Sequence, residues 1–127
     1  MRRIWFTIGM VSFLMGLGFA IAHEGESHGE TKGSVQKITG EVVDLACYLS
    51  EGALGPGHRE CAEKCISSGL PVGIKSGDQL YLAVSGEHGP ANATLASLAA
   101  QEVTVEGKVS EREGVHLIAI SKVTVKQ

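Results

Sequence analysis

The chain has 127 residues, with 11 Lys plus Arg against 14 Asp plus Glu and a formal net charge of −3. Residues 1–22 hold two of the basic residues, none of the acidic ones and all the Phe and Met, so the other 105 residues predict one small acidic domain of formal charge −5. An acidic surface with two tyrosines argues against nucleic-acid binding, and the lack of Met beyond residue 22 excludes a thioether copper site.

The first 22 residues have the pattern of a targeting segment. Arg2 and Arg3 precede an apolar run from Ile4 to Ala22, which ends in the small-x-small pattern Ala-Ile-Ala. This pattern predicts a signal peptide over residues 1–22 and a periplasmic or secreted protein. The alternative is an uncleaved membrane anchor, and this segment is the one membrane contact that the sequence indicates.

Residues 23–34 contain no large apolar side chain and predict a flexible tail. His23 and His28 lie in this tail. A solvated linker is the favoured interpretation, and a loose chelate for a divalent ion is the alternative.

Residues 35–127 show strand and helix patterns that alternate along the chain. Gly40 interrupts the first strand, as a bulge or a sharp bend does, and Asn92 is a candidate cap for the second helix. The predicted elements are a strand over 35–45, a loop over 51–57, a helix over 58–68, strands over 72–74 and 79–84, a loop over 86–92, a helix over 93–101 and strands over 102–109 and 115–125.

This order predicts a mainly β domain. Without the first helix, three strands, a helix and two strands remain, which is the element order of a five-stranded OB barrel. We therefore expect an OB-like domain over 35–127, with a Cys/His-bearing helix inserted between strands 1 and 2 at 47–69 and a helix between strands 3 and 4. An open α+β sheet is the alternative.

The insertion carries the residues with the most specific chemistry. On a helix, His58, Cys61 and Cys65 fall on one face, and Cys47 is predicted at the end of strand 1, within reach of that face. Three thiols and an imidazole suit a soft or borderline ion, Zn(II) or Cu(I). His88 lies in a later loop and is a candidate additional ligand.

The same cysteines permit two other interpretations. In an oxidising compartment, Cys47 can pair with Cys61 or Cys65 and staple the helix to the barrel, which leaves one thiol for a partner. Alternatively, Cys61 in the first helical turn can act as the attacking thiol in disulfide exchange. Thiol redox chemistry is the one enzymatic activity that the sequence suggests, and a non-enzymatic role is favoured.

Three other residues near these motifs receive simpler interpretations. Asp44 and Glu51 flank Cys47 and are interpreted as solvated charges, with acceptance of a hydrogen bond from the His58 ring as the alternative. His116 alternates with Val115 and Leu117 and is expected to face outward from the last strand.

The stretch from Gly40 to Val109 resembles a group of small exported bacterial proteins, mostly uncharacterised, that share a four-part motif. The motif residues are Asp44, Cys47 and Tyr48; Gly55, Pro56, His58, Cys61, Ala62 and Cys65; Gly69 and Pro71; and His88 and Gly89. The barrel part is also similar in element order to small periplasmic OB-type stress proteins. The resemblance implies that the cluster is a unit, and it names no ligand.

From these patterns we expect an exported protein that holds Zn or Cu in a Cys3His site. The alternatives are a thiol-disulfide exchange or redox-sensing module and a disulfide-stapled OB adaptor that binds another exported protein.

Overall fold

The computed structural model describes residues 33–86 and 89–126, a range that contains six strands, three α-helices and two 3-10 turns. The expected targeting segment, most of the expected tail and His88 lie outside these residues. In chain order, the elements are β1 (Ser34–Asp44), α1 (Leu45–Glu51), a 3-10 turn (Pro56–His58), α2 (Arg59–Ser67), β2 (Val72–Ser76), β3 (Gln79–Ser85), β4 (Gly89–Pro90), α3 (Asn92–Leu95), a 3-10 turn (Ala96–Leu98), β5 (Glu102–Arg112) and β6 (Val115–Val125).

Five of the strands close into a barrel. β1 pairs antiparallel with β2 and β5, β5 pairs with β6, and β2 pairs with β3. The parallel pairing of β3 with β6 completes the ring, and the two-residue β4 adds to the edge of β3. The predicted five-stranded OB-like barrel is confirmed, with α1 and α2 between β1 and β2 and with α3 after β3.

Alternating side chains of the strands fill the barrel, and α2 and α3 cover it. Ile66 of α2 and Leu95 of α3 are fully buried in the same cluster as the strand residues. The strand residues of this core are Ile38, Val42, Val72, Ile74, Ala83, Val103, Val105, Ile118 and Ile120. Because α2 shares the barrel core, the inserted segment is held by the same hydrophobic burial as the barrel.

Gly40 is required by a close approach of two strands. A Cβ at this position would lie 2.3 Å from the Lys75 carbonyl oxygen of β2. The pairing of β1 with β5 continues through Gly40 without a register shift, so of the two expected features the bulge is absent there, and the sharp bend stays a prediction. The register shift in the barrel instead lies beside Gly107 of β5, where β6 carries one extra residue.

Two polar contacts fix the inserted segment against the rest of the domain. The Gly55 amide donates a hydrogen bond of 2.6 Å to the Glu41 carboxylate of β1. The Asn92 side-chain amide donates to the carbonyl oxygens of Ile66 and Leu70, each at 2.7 Å. Asn92 is therefore the first residue of α3 and not its cap, since its side chain binds the end of α2.

The second predicted helix is shorter and tighter than expected. α3 ends at Leu95, and a 3-10 turn continues to Leu98. Ala100 then takes a positive φ of 58° and turns the chain into β5. This left-handed residue ends the helical segment before residue 101.

His116 does not face outward. It lies on the same side of β6 as the buried Ile118 and Ile120, and its side chain is 24% exposed. Its ring packs at 5.6 Å from the ring of Tyr81, measured between centroids. The expectation that His116 faces outward is wrong because Val115 and Leu117, although apolar, lie on the outer face of β6.

Candidate metal centre

Asp44 ends β1 and begins α1. Its side chain accepts hydrogen bonds from the amides of Ala46 and Cys47, each at 3.2 Å, which is the capping arrangement that favours aspartate at a helix start. Cys47 therefore lies in the first turn of α1, and its predicted place at the end of a strand is wrong. The apolar Leu45 continued the strand pattern, but the cap at Asp44 ends the strand one residue earlier.

α2 presents two thiols on one face. Cys61 and Cys65 are one helical turn apart, while Ala62 and Ile66 face the barrel core. The helix ends as predicted: Gly69 takes a φ of 101°, and the Gly69 and Leu70 amides bond back to the carbonyls of Ile66 and Cys65. The burial of one face directs the two cysteines toward α1.

The structure brings the three cysteines together as predicted. The Sγ atoms of Cys47, Cys61 and Cys65 all lie within 4.8 Å of one another, close enough to hold a metal ion. All three are free thiols. Cys61 is exposed and the other two are half-buried, so the group is open to solvent on one side.

His58 joins a different group from the one expected. A His58 ring nitrogen, an Asp44 carboxylate oxygen and the Cys47 Sγ form a second set of atoms within 4.8 Å of one another. His58 ends the 3-10 turn with φ −101° and ψ −3°, so it precedes the regular turns of α2 that carry the thiols. The expected single Cys3His set is therefore two donor sets that share Cys47.

Asp44 belongs to the second donor set, although the sequence pattern favours a solvated charge at this position. Its side chain is 1% exposed, so its interpretation as a solvated charge is wrong, whereas Glu51 is exposed as expected. The usable signal was local: an aspartate just before an amphipathic turn is a strong helix-cap pattern. A capping carboxylate at the end of a buried strand is buried with that strand.

The electrostatics of the group oppose loss of protons from the thiols. The hydrogen bond of Cys47 to Asp44, together with burial and the carboxylate charge, raises the pKa of Cys47 from 9.0 to about 12. Burial, then the charge of Asp44, raises the pKa of Cys65 as well. Accumulated negative charge is thus unfavourable here, and a bound cation would offset it.

The second donor set contains an unsatisfied polar atom. Nε2 of His58 is buried and has no hydrogen-bond partner among the described residues. Buried ring nitrogens are normally bonded, so an atom of this kind indicates a missing partner such as an ion or a water molecule.

Other expected features fall outside this group or stay untested. His88 lies outside the described residues, so its role as an additional ligand stays a prediction. Within the described part of the chain, no helix has the length and apolar character needed to cross a bilayer.

Comparisons of the chain with protein-family models, with curated proteins and with solved structures found no match.

Proposed function

We propose that this protein is an exported metal-binding protein that holds a soft ion, Cu(I), through Cys47, Cys61 and Cys65. The mutual approach of the three Sγ atoms within 4.8 Å carries this proposal. Three thiolates around an ion at about 2.3 Å lie about 4.0 Å apart when the arrangement is trigonal. Each sulfur therefore needs to move by no more than about 1 Å to close on an ion.

The number of donors favours Cu(I) over a closed tetrahedral zinc site. Thiolates bind both Cu(I) and zinc, but structural zinc sites have four protein ligands. His58 is grouped with Asp44 and Cys47 and does not complete a four-member set with the thiols. A three-sulfur site that is open on one side suits storage or delivery of an exchangeable ion.

Export is supported by the pattern of residues 1–22. A basic start, an apolar run and the Ala-Ile-Ala end are typical of a signal peptide. Metal exchange with other exported proteins is the role that we propose for the open face of the site.

The test is a titration of the reduced full chain with Cu(I), in the absence of oxygen and against a competing Cu(I) chelator. We expect retention of about one equivalent with thiolate charge-transfer absorption in the ultraviolet. Cys47→Ser, Cys61→Ser and Cys65→Ser should each weaken retention strongly. Ser67→Ala, an exposed change on the same helix, is the control and should bind as the unmodified chain does.

Two outcomes would contradict the proposal. The first is Cu(I) retention by all three cysteine variants at the level of the unmodified chain. The second is a disulfide between Cys47 and a cysteine of α2 in protein taken directly from the cell envelope, with one reactive thiol left. That result would support thiol exchange or a structural staple.

A further inference from the structure

Two donor sets share one sulfur, and together they provide five ligand residues, which is more than a single ion needs. Cys47 belongs both to the three-thiol group and to the group with Asp44 and His58. A thiolate sulfur has enough lone pairs to bind two ions at once. We propose that Asp44, Cys47 and His58 hold a second ion of the borderline class, Zn(II), beside the Cu(I) ion, with Cys47 as the bridge. This inference rests on the proposed function.

The donor chemistry separates the two positions. The first set has only sulfur donors, which suit a soft ion. The second set has one sulfur, one imidazole nitrogen and one carboxylate oxygen, all of which are ordinary zinc ligands.

Free coordination capacity is present on both outer ligands. Of the four lone pairs of the Asp44 carboxylate, the amides of Ala46 and Cys47 and the Cys47 thiol occupy three, and one stays available. Nε2 of His58 is buried without a partner. The His58 side chain makes no capping hydrogen bond to α2, so its ring is not needed for the helix start.

The balance of charge also favours two ions. Three thiolates and one carboxylate carry four negative charges, with Asp44 buried and two of the thiols half-buried. One Cu(I) ion offsets a single charge, whereas Cu(I) and Zn(II) together offset three. Uncompensated charge in a partly buried group is costly, so the loaded group is expected to take up the divalent ion.

The experiment uses Co(II) as a spectroscopic probe for the zinc position. The full chain with His23→Ala and His28→Ala, which removes the tail histidines, is loaded with one equivalent of Cu(I) and then titrated with Co(II). We expect about one equivalent of Co(II) to bind with sulfur-to-cobalt charge-transfer absorption, while Cu(I) is retained. His58→Ala should abolish this absorption and leave Cu(I) binding unchanged.

His116→Ala, which alters a half-buried histidine of β6 outside both donor sets, is the matched control and should bind both ions. Thermal unfolding of His58→Ala checks that the variant is folded. Cys61→Ser with Cys65→Ser should lose Cu(I) and still bind Co(II), which isolates the second position. Two results would overturn the second site and leave the proposed function intact. One is displacement of Cu(I) by Co(II) mole for mole, and the other is Co(II) absorption in His58→Ala as strong as in the chain that keeps His58. Failure to retain Cu(I) would overturn both.

Discussion

The barrel and its inserted segment differ in what their side chains do, although the two regions are in contact. The barrel is closed by continuous strand pairing around an apolar core. The inserted segment, residues 45–71, carries three clustered thiols, and the buried Asp44 at the end of β1 lies beside Cys47. The two regions meet in α2, where Ile66 is buried in the barrel core and the adjacent Cys65 faces α1.

This contrast shows how a small domain holds a cluster of thiols in place. The polar group itself contributes little hydrophobic burial. Its geometry is instead fixed by Ile66 on one side of α2, by the bonds from Asn92 at the end of α2 and by the cap at Asp44. The barrel therefore supplies the stability that the inserted segment needs to keep its ligands close.

The largest expected effect comes from cutting the link between the two regions. Ile66→Ala removes a fully buried side chain, so it should lower the free energy of unfolding by about 2–5 kcal/mol. Urea denaturation followed by circular dichroism measures this change. Leu49→Ala, at a side chain that is 70% exposed, should change stability by less than about 0.5 kcal/mol.

If Ile66→Ala left the main unfolding transition at the same urea concentration and abolished only metal binding, the inserted segment would be a separate folding unit. Such a result would contradict the conclusion that α2 and the barrel share one hydrophobic core.

A second change should damage the barrel and spare the site. Gly40→Ala places a methyl group against the Lys75 carbonyl oxygen, and the required strand shift should cost about 1–3 kcal/mol. Metal binding should persist in the folded protein. Gly57→Ala, where nothing lies within 4 Å of the new methyl group, is the control and should be nearly neutral in the same denaturation experiment. Equal stability of the two variants would show that β1 and β2 do not approach so closely.

The smallest expected effect on stability accompanies a clear change in reactivity. Asp44→Asn keeps a good helix cap, so the free energy of unfolding should change by less than about 1 kcal/mol. The lost charge and the altered hydrogen bond should lower the pKa of Cys47 from about 12, which raises the thiolate fraction at any pH below that value. Alkylation of Cys47 at pH 8 should accelerate tenfold for each unit of lowered pKa.

Site-resolved mass spectrometry measures this rate. Glu51→Gln removes an exposed charge from the same helix and should leave the Cys47 rate unchanged. An unchanged rate in Asp44→Asn would mean that the carboxylate does not control this thiol.

The element order was predictable from sequence because strand alternation and helix end signals are local. The hairpins, the stop of α2 before Gly69 and the five-stranded barrel all followed from such patterns. The wrong predictions arose where two local patterns overlap in the sequence. The cap at Asp44 ended β1 before Leu45, and the 3-10 turn displaced His58 from the helical face that carries the thiols.

The sequence by itself determined that three cysteines and a histidine belong to one insertion in an OB-like barrel. Only the tertiary structure decided how these residues are distributed between two donor sets. The reason is that the approach of α1 to α2 depends on the packing of Ile66 and on the burial of Asp44. Residue spacing fixes directions along a single helix, whereas distances between two helices are set by the core beneath them. The sharing of Cys47 between two donor sets is a product of that packing.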